Sequence, residues 1–202
     1  ISDTWDAALT GGGVNISSPG RRSAYRGNCQ NGDVRRAFNL SAVLQTPRFS
    51  SPALRLIASD WQLSPIIQAR SAQFFSVTLG VDTALSGTAN QVPNLVGNPY
   101  PGNQNINLWI DRAAFQTPAV GSYGTMSLHS MKGPSVFQFD WAVSRTFKIR
   151  EGKSVQLRGE AFNILNHANF DTPVAALNSQ TFGRVQSAGD PRILQFALKY
   201  VF

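Results

Sequence analysis

The sequence predicts an all-β fold of antiparallel strands that span a membrane, and three observations lead to this prediction. Several segments alternate apolar and polar residues with a period of two, which places the two kinds on opposite faces of a strand. The segments between them are rich in Gly, Pro and Asn, as turns and loops are. No stretch approaches the roughly 20 continuous apolar residues of a membrane-spanning helix, although hydrophobic residues make up 42% of the chain.

The last predicted strand, residues 193–202, shows the alternation most clearly. Its two faces consist of Leu194, Phe196, Leu198, Tyr200 and Phe202 on one side and Gln195, Ala197 and Lys199 on the other. An apolar face that ends in aromatic residues, opposite a small or polar face, suits a strand between lipid and a wet lumen. We therefore expect the five apolar residues to face lipid.

Four further strands are predicted upstream, separated by loops. The strands lie near 34–45, 60–78, 136–148 and 154–165, the long loops near 80–134 and 166–191, and residues 1–32 are expected to be loop. Pro65 has no backbone N–H to donate to a neighbouring strand, so we expect a kink or bulge in the 60–78 strand. Arg145 interrupts the apolar face near a strand end, where a long cation can snorkel to water.

The strands near 136–148 and 154–165 are predicted to form a hairpin whose register follows from parity. Directly paired residues share a face, and the polar face is even-numbered in both strands. A turn centred on Glu151 then pairs Ser144 with Arg158. This three-residue turn, 150–152, ends in Gly152, which is free to adopt a positive φ.

The polar faces supply candidate lumen-facing residues, and the connections give the strands a direction. The candidates are Gln138, Asp140, Arg158, Glu160 and Lys199. Long and short connections alternate along the chain, as extracellular loops and periplasmic turns do in outer-membrane barrels. This alternation places Phe202 at the periplasmic side.

No arrangement of titratable residues predicts catalysis. A cluster of Asp140, Arg158, Glu160 and Lys199 would resemble an acid and base site, but inward charges of a barrel ordinarily pair and line a wet interior. His129 and His167 lack carboxylates or cysteines at metal-ligand spacing. We therefore predict no enzyme activity, no cofactor and no metal.

The net charge and the single cysteine bear on nucleic-acid binding and on disulfide formation. The charge of +7 comes from 18 Lys and Arg against 11 Asp and Glu, but the basic residues are scattered, whereas a nucleic-acid site concentrates them. We therefore predict no nucleic-acid partner and assign the excess to interior charges and anionic lipid. Cys29 lies in a polar run, and both a reactive thiol and a disulfide to a residue upstream of Ile1 remain open.

Two segments and the terminal strand carry a family resemblance. They are Leu157-Arg158-Gly159-Glu160-Ala161-Phe162-Asn163-Ile164-Leu165-Asn166-His167-Ala168-Asn169-Phe170 and Phe182-Gly183-Arg184-Val185-Gln186-Ser187-Ala188-Gly189-Asp190-Pro191-Arg192. Together with 193–202 they resemble the C-terminus of Oar-like TonB-dependent receptors. Residues 33–43 and 61–64 resemble repeated elements of the same barrels. The resemblance covers about half of the chain.

The resemblance implies a cell outer-membrane barrel of about 22 strands in a diderm bacterium, closed by an N-terminal plug. This chain would be a C-terminal fragment with about five strands, and the plug and any regulatory-like domain would lie upstream of Ile1. The implied function is TonB-energised uptake of a large or scarce solute whose identity the sequence does not specify. The implied partners are outer-membrane lipid, the barrel assembly machinery through residues 193–202, and the TonB complex through upstream residues.

Two alternatives remain open from the sequence. One is a passive porin or adhesin-like barrel, which a plug and a TonB box upstream of Ile1 would exclude. The other is a secreted carbohydrate-binding β-sandwich, which would use aromatic residues such as Trp61, Trp109 and Tyr123. The sandwich hypothesis predicts that the chain folds without detergent.

Overall fold

The computed structural model describes residues 2–3, 26–28, 33–87 and 89–202. The expectation of loop over residues 1–32, including Cys29, therefore lies largely outside the described residues. In chain order the strands are β1 (Ser2–Asp3), β2 (Arg26–Gly27), β3 (Ala37–Ser41), β4 (Leu44–Gln45), β5 (Trp61–Arg70), β6 (Phe74–Phe75), β7 (Asn94–Leu95), β8 (Phe115–Gln116), β9 (Met131–Lys132), β10 (Val136–Arg150), β11 (Lys153–Phe162) and β12 (Ile193–Val201). The helices among the described residues are an α-helix, α1 (Pro52–Ala58), and a 3-10 helix (Arg112–Ala114). None of the helices in the described ranges is long and apolar enough to cross a membrane.

The chain forms two compact units. The first comprises residues 1–35, 71–135 and 170–188, and the second residues 36–70, 136–169 and 189–202. The second unit is an antiparallel sheet with the order β12-β11-β10-β5-β3, and β4 also pairs with β5. The predicted all-β, antiparallel architecture is confirmed.

The hairpin of β10 and β11 has the predicted register, because Ser144 lies opposite Arg158. Gly152 has a φ of 76°, the left-handed conformation that glycine adopts without a Cβ penalty. The predicted three-residue turn is wrong in one detail. The register shifts between Lys148 and Arg150, and Arg150 pairs with Lys153, so a bulge at 149 precedes a two-residue turn.

The expected kink or bulge at Pro65 is absent from β5, whose pairing with β10 runs without a register shift from Trp61 to Arg70. The carbonyl of Pro65 accepts from the backbone N–H of Ala42 at 3.2 Å. Since the backbone N and C=O of one strand residue point to the same neighbour, the missing N–H faces β3 and β4, not β10. Pro65 therefore lacks a donor only where β3 has ended at Ser41 and β4 has not yet begun at Leu44.

The strand predicted over 60–78 ends at Arg70. Phe74 and Phe75 form β6, which pairs with β9 in the first unit. Both phenylalanines are buried. In a strand between lipid and lumen, the side chains face either lipid or water and are not buried in protein. The alternation that continues past Arg70 in the sequence therefore belongs to a protein core.

The first unit orders most of the chain predicted as long loops over 80–134 and 166–191. It contains three two-stranded sheets, β1-β2, β6-β9 and β7-β8. One hydrophobic core contains residues of β6, β8 and β9 and of the connections around them, and its members are Phe75, Val77, Leu79, Ile110, Ala114, Phe115, Met126, Met131, Leu177 and Phe182. Apart from Phe75, Val77 and Leu79, which alternate, these residues recur without a fixed period, so no strand or helix pattern indicated their shared core. Burial of apolar surface, not strand pairing, holds these connections together.

Candidate functional site

Most of the large apolar residues of the second unit's sheet share one face. Leu157 lies opposite Leu198, and Phe139 lies opposite Ile67, which lies opposite Leu40. Four apolar residues of β12 and Phe202, which follows the strand, lie on this face and are exposed: Leu194 57%, Phe196 85%, Leu198 69%, Tyr200 50% and Phe202 90%. The sheet therefore presents a continuous apolar surface that is exposed at Phe38, Leu40 and Leu157 as well as along β12.

The height of this surface matches a bilayer. Phe147 follows Phe137 on the apolar face of β10 by ten residues, or about 33 Å of strand at about 3.3 Å per residue. A strand tilt of about 40° reduces this to a vertical height of about 25 Å, which is the height of the lipid-facing band of outer-membrane barrels. Aromatic rings lie near both ends of the band, and Tyr200 stacks with Phe202 at 6.1 Å between centroids.

All five candidate lumen residues lie on the opposite, polar face. The Nε2 of Gln138 donates to both carboxylate oxygens of Asp140 at 3.0 Å, and Arg158 forms an ion pair with Glu160 at 2.5 Å. Lys199 lies opposite Gln156. Four of the five candidates thus form two pairs, each within a single strand. Among the described hydrogen bonds and ion pairs, none links the two pairs to each other.

A polar cavity of about 210 Å³ opens among the strand ends of the same sheet. Its lining consists of Gln45, Thr46, Asp60, Trp61, Gln62, Ser144, Thr146 and Gln156. Most of these side chains are amides and hydroxyls, which exchange hydrogen bonds with neutral polar groups. The sequence patterns did not indicate this cavity, because its lining comes from four segments of the chain.

Asp140 has a role that its polar position did not reveal. Its Oδ1 accepts from the backbone N–H of Asn163 at 2.8 Å, where the chain leaves β11. Asn163 is only 4% exposed and has a φ of 48°, a left-handed conformation that Asn tolerates better than most residues. Its amide nitrogen donates to the carbonyls of His167 at 2.9 Å and Asp190 at 3.1 Å, and its Oδ1 accepts from His167 N–H at 2.9 Å. Asn163 therefore fixes the exit of the chain from the sheet.

Arg145 does not snorkel to water as expected, because it is only 8% exposed. Its guanidinium lies over the rings of Phe147 at 4.7 Å and Trp61 at 5.4 Å. Its Nη atoms donate to the carbonyl of Arg55 at 3.1 Å and to that of Ile57 at 3.4 Å. An arginine between aromatic residues on an apolar face is the only sequence signal for this cluster. That signal does not identify the distant carbonyls that accept its hydrogen bonds.

The two histidines make hydrogen bonds typical of loop structure. In the first unit, the Nδ1 of His129 lies 3.2 Å from the hydroxyl of Ser76, and burial lowers the pKa of His129. In the second unit, the Nδ1 of His167 lies 3.2 Å from the Oδ1 of Asn169. Within the part of the chain that the structure describes, no three His, Cys, Asp or Glu residues lie close enough to hold a metal ion.

A second carboxylate, Asp82 of the first unit, organises a turn. Its carboxylate accepts from the backbone N–H groups of Ser86 at 3.0 Å and Gly87 at 2.7 Å and from the amide of Gln91. The hydrogen bond from Ser86 is the largest cause of the lowered pKa of Asp82. Because these partners are its own neighbours in the turn, the carboxylate stabilises the loop.

A sheet with a bilayer-high apolar face and a charged, polar face is the wall of a membrane β-barrel. The comparison with known families agrees, because the model of the outer membrane beta barrel domain matches residues 1–195. The chain belongs to this family, and the protein is located in the outer membrane. Searches of curated proteins and of solved structures give no match.

Proposed function

We propose that this chain is the C-terminal part of a TonB-dependent receptor barrel that takes up a large or scarce solute. The observation that carries the proposal is the continuous two-faced sheet with open edges. Among the described residues, β12 pairs only with β11, and β3 pairs only with β5. Open edges in lipid leave backbone groups unsatisfied, so further strands must close the wall. A barrel of about 22 strands fits this need and the Oar-like resemblance of residues 157–170.

The strand ends support the proposed sidedness. Arg70 lies opposite Val136, and Phe162 lies opposite Ile193, so both long connections leave the same end of the sheet. The short turn after β10 is at the other end. In the proposal the long connections face the cell surface and meet the solute, because solute recognition in such receptors uses surface loops. The shared core of these connections would hold a recognition surface in one conformation.

The remaining parts of the proposal concern partners and chemistry. The terminal strand, with its exposed apolar residues and final Phe202, would be bound by the barrel assembly machinery. The TonB complex would bind residues upstream of Ile1. We propose no catalytic role and no cofactor, because Arg158 and Glu160 neutralise each other and Asp140 is used to hold a turn.

The test uses the full-length protein purified from outer membranes. In planar lipid bilayers we expect no steady conductance, because a plug would close the lumen, and we expect binding to the purified periplasmic domain of TonB. Deletion of the plug alone, with all barrel strands retained, should give an open channel. A steady open channel in the full-length protein, together with no TonB binding, would instead establish a passive porin.

A separate measurement decides against the β-sandwich. Residues 1–202 are expected to aggregate or to require detergent, because the apolar face of the sheet is exposed. A monomer that melts cooperatively in plain buffer would overturn the barrel proposal and favour the carbohydrate-binding alternative.

A further inference from the structure

The connection between β4 and β5 contains helix α1, which exposes three large apolar side chains. Leu54, Leu56 and Ile57 are 51%, 71% and 70% exposed. None of the helix residues is buried, so α1 does not complete a protein core. A short helix with this composition needs an apolar environment outside the described protein surface.

Side chains of the sheet hold α1 at its C-terminal end. The indole N–H of Trp61 donates to the carbonyl of Ile57 at 2.7 Å, and Arg145 donates to the carbonyls of Arg55 and Ile57. The last carbonyls of a helix lack partners within the helix and carry partial negative charge. The buried guanidinium of Arg145 therefore satisfies these carbonyls, and they stabilise its charge in turn.

The contacts of Arg145 also place α1 on a particular face of the sheet. Arg145 lies opposite Trp61, and both share the apolar face with Val143 and Phe147, since residues two apart on a strand point the same way. A helix whose carbonyls bind Arg145 must lie on this lipid-facing side. It lies at the end of the sheet that carries the short turn, Glu151–Gly152.

The rest of the connection is also tied down by hydrogen bonds. The Nε of Arg55 donates to the carbonyl of Phe49 at 3.1 Å, and the backbone N–H of Phe49 donates to the hydroxyl of the fully buried Ser59 at 3.0 Å. Arg48 and Asp60 form an ion pair at 3.0 Å. The backbone is thus fixed in a position that keeps the apolar side chains of α1 exposed.

We propose that α1 is an interfacial helix that inserts Leu54, Leu56 and Ile57 into the lipid leaflet at the short-turn end of the wall. Lipid is the occupant because the helix continues the lipid-facing apolar face of the sheet. It lies beside Trp61, and tryptophan is enriched at membrane–water interfaces. Arg145 is a positioning residue that fixes the helix against the wall. The inference rests on the outer-membrane barrel wall and is independent of TonB-energised uptake.

The test measures the depth of nitroxide spin labels in the full-length protein, reconstituted into phosphatidylethanolamine and phosphatidylglycerol vesicles. All native cysteines are replaced by Ser, and single labels are placed at Ile57→Cys and, as the control at the same end, Glu151→Cys. We expect the ratio of collisions with oxygen to collisions with a water-soluble nickel complex to be several-fold higher at position 57. Interfacial helices insert about 5–10 Å below the headgroup boundary.

A second variant examines the role of Arg145. Arg145→Met keeps an apolar side chain but removes the donors to α1, so the label at position 57 should become more mobile and more accessible to the nickel complex. Arg150→Met, an exposed basic residue of the same strand, should change neither quantity. Retained heat-modifiable migration in gel electrophoresis would show that each variant has folded.

Two results would overturn the proposal. Equal nickel accessibility at positions 57 and 151 would place α1 in water. Shielding of position 57 from both oxygen and nickel would show that protein, not lipid, covers the helix. Should Arg145→Met fail to fold, the label at Ile57→Cys in the otherwise unchanged protein still decides between these results.

Discussion

Replacement of Asn163 by Ala is expected to release the chain where it leaves β11. The buried side chain makes three hydrogen bonds, two donated to the carbonyls of His167 and Asp190 and one accepted from His167 N–H. A single intramolecular hydrogen bond contributes about 1 kcal/mol net, so their loss costs about 3 kcal/mol. Ala at a φ of 48° adds about 1 kcal/mol of backbone strain, and the total is about 4 kcal/mol.

Amide hydrogen exchange measured by mass spectrometry is the appropriate assay, because the effect is local. A cost of about 4 kcal/mol corresponds to a loss of protection of roughly a thousandfold in peptides that cover residues 163–168. Asn163→Gly loses the hydrogen bonds without the strain of Ala, so its loss should be smaller. Asn107→Ala, an exposed asparagine of the first unit, should have no effect there. Protection in Asn163→Ala within threefold of the parent protein would refute the reasoning.

Three further predictions concern other parts of the molecule. Phe202→Ala should lower the amount of folded protein in the outer membrane several-fold, measured by heat-modifiable migration, whereas Val201→Ala on the opposite face should not. Burial lowers the pKa of His129 below 6.5, so its contribution to stability is complete above that pH and is lost as pH falls through the folded-state pKa. The urea midpoint should therefore fall on acidification, and His129→Asn should reduce that fall. The same pH dependence in the variant and the parent protein would contradict this prediction. A Cβ at Gly159 would meet its neighbours at 3.5 Å, whereas one at Gly124 would lie 1.9 Å from a backbone oxygen. Gly159→Ala should thus raise the free energy of unfolding by about 0.5–1 kcal/mol, seen as a higher urea midpoint, and Gly124→Ala should prevent folding; the opposite order would refute this.

The sheet was predictable from the sequence because the pattern that specifies its strands lies in neighbouring residues. Strand periodicity separates Leu157 from Arg158, and parity together with a turn centred on Glu151 gave the register that places Ser144 opposite Arg158. Pro65 shows the limit of that approach. Its effect depends on which neighbouring strand its missing N–H faces, and no periodic pattern in one strand carries that information.

The first unit was not predictable as a folded unit. Ile110 and Leu177 lie in one core, although they come from two connections whose sequences predict loops. Such contacts join residues far apart in the chain, and the chain is aperiodic around them. The roles of Asn163 and Arg145 were missed because their side chains bind particular backbone groups that no periodic pattern identifies.

The sequence by itself determined that β10, β11 and β12 are two-faced strands with an apolar side and a polar side, because alternation is a property of neighbouring residues. Only the tertiary structure decided how the polar residues are used: Asp140 and Asn163 hold a strand exit, and Arg145 holds helix α1 against the apolar face. The physical reason is that a buried charge or amide requires a specific hydrogen-bonding partner, and folding brings that partner from elsewhere in the chain.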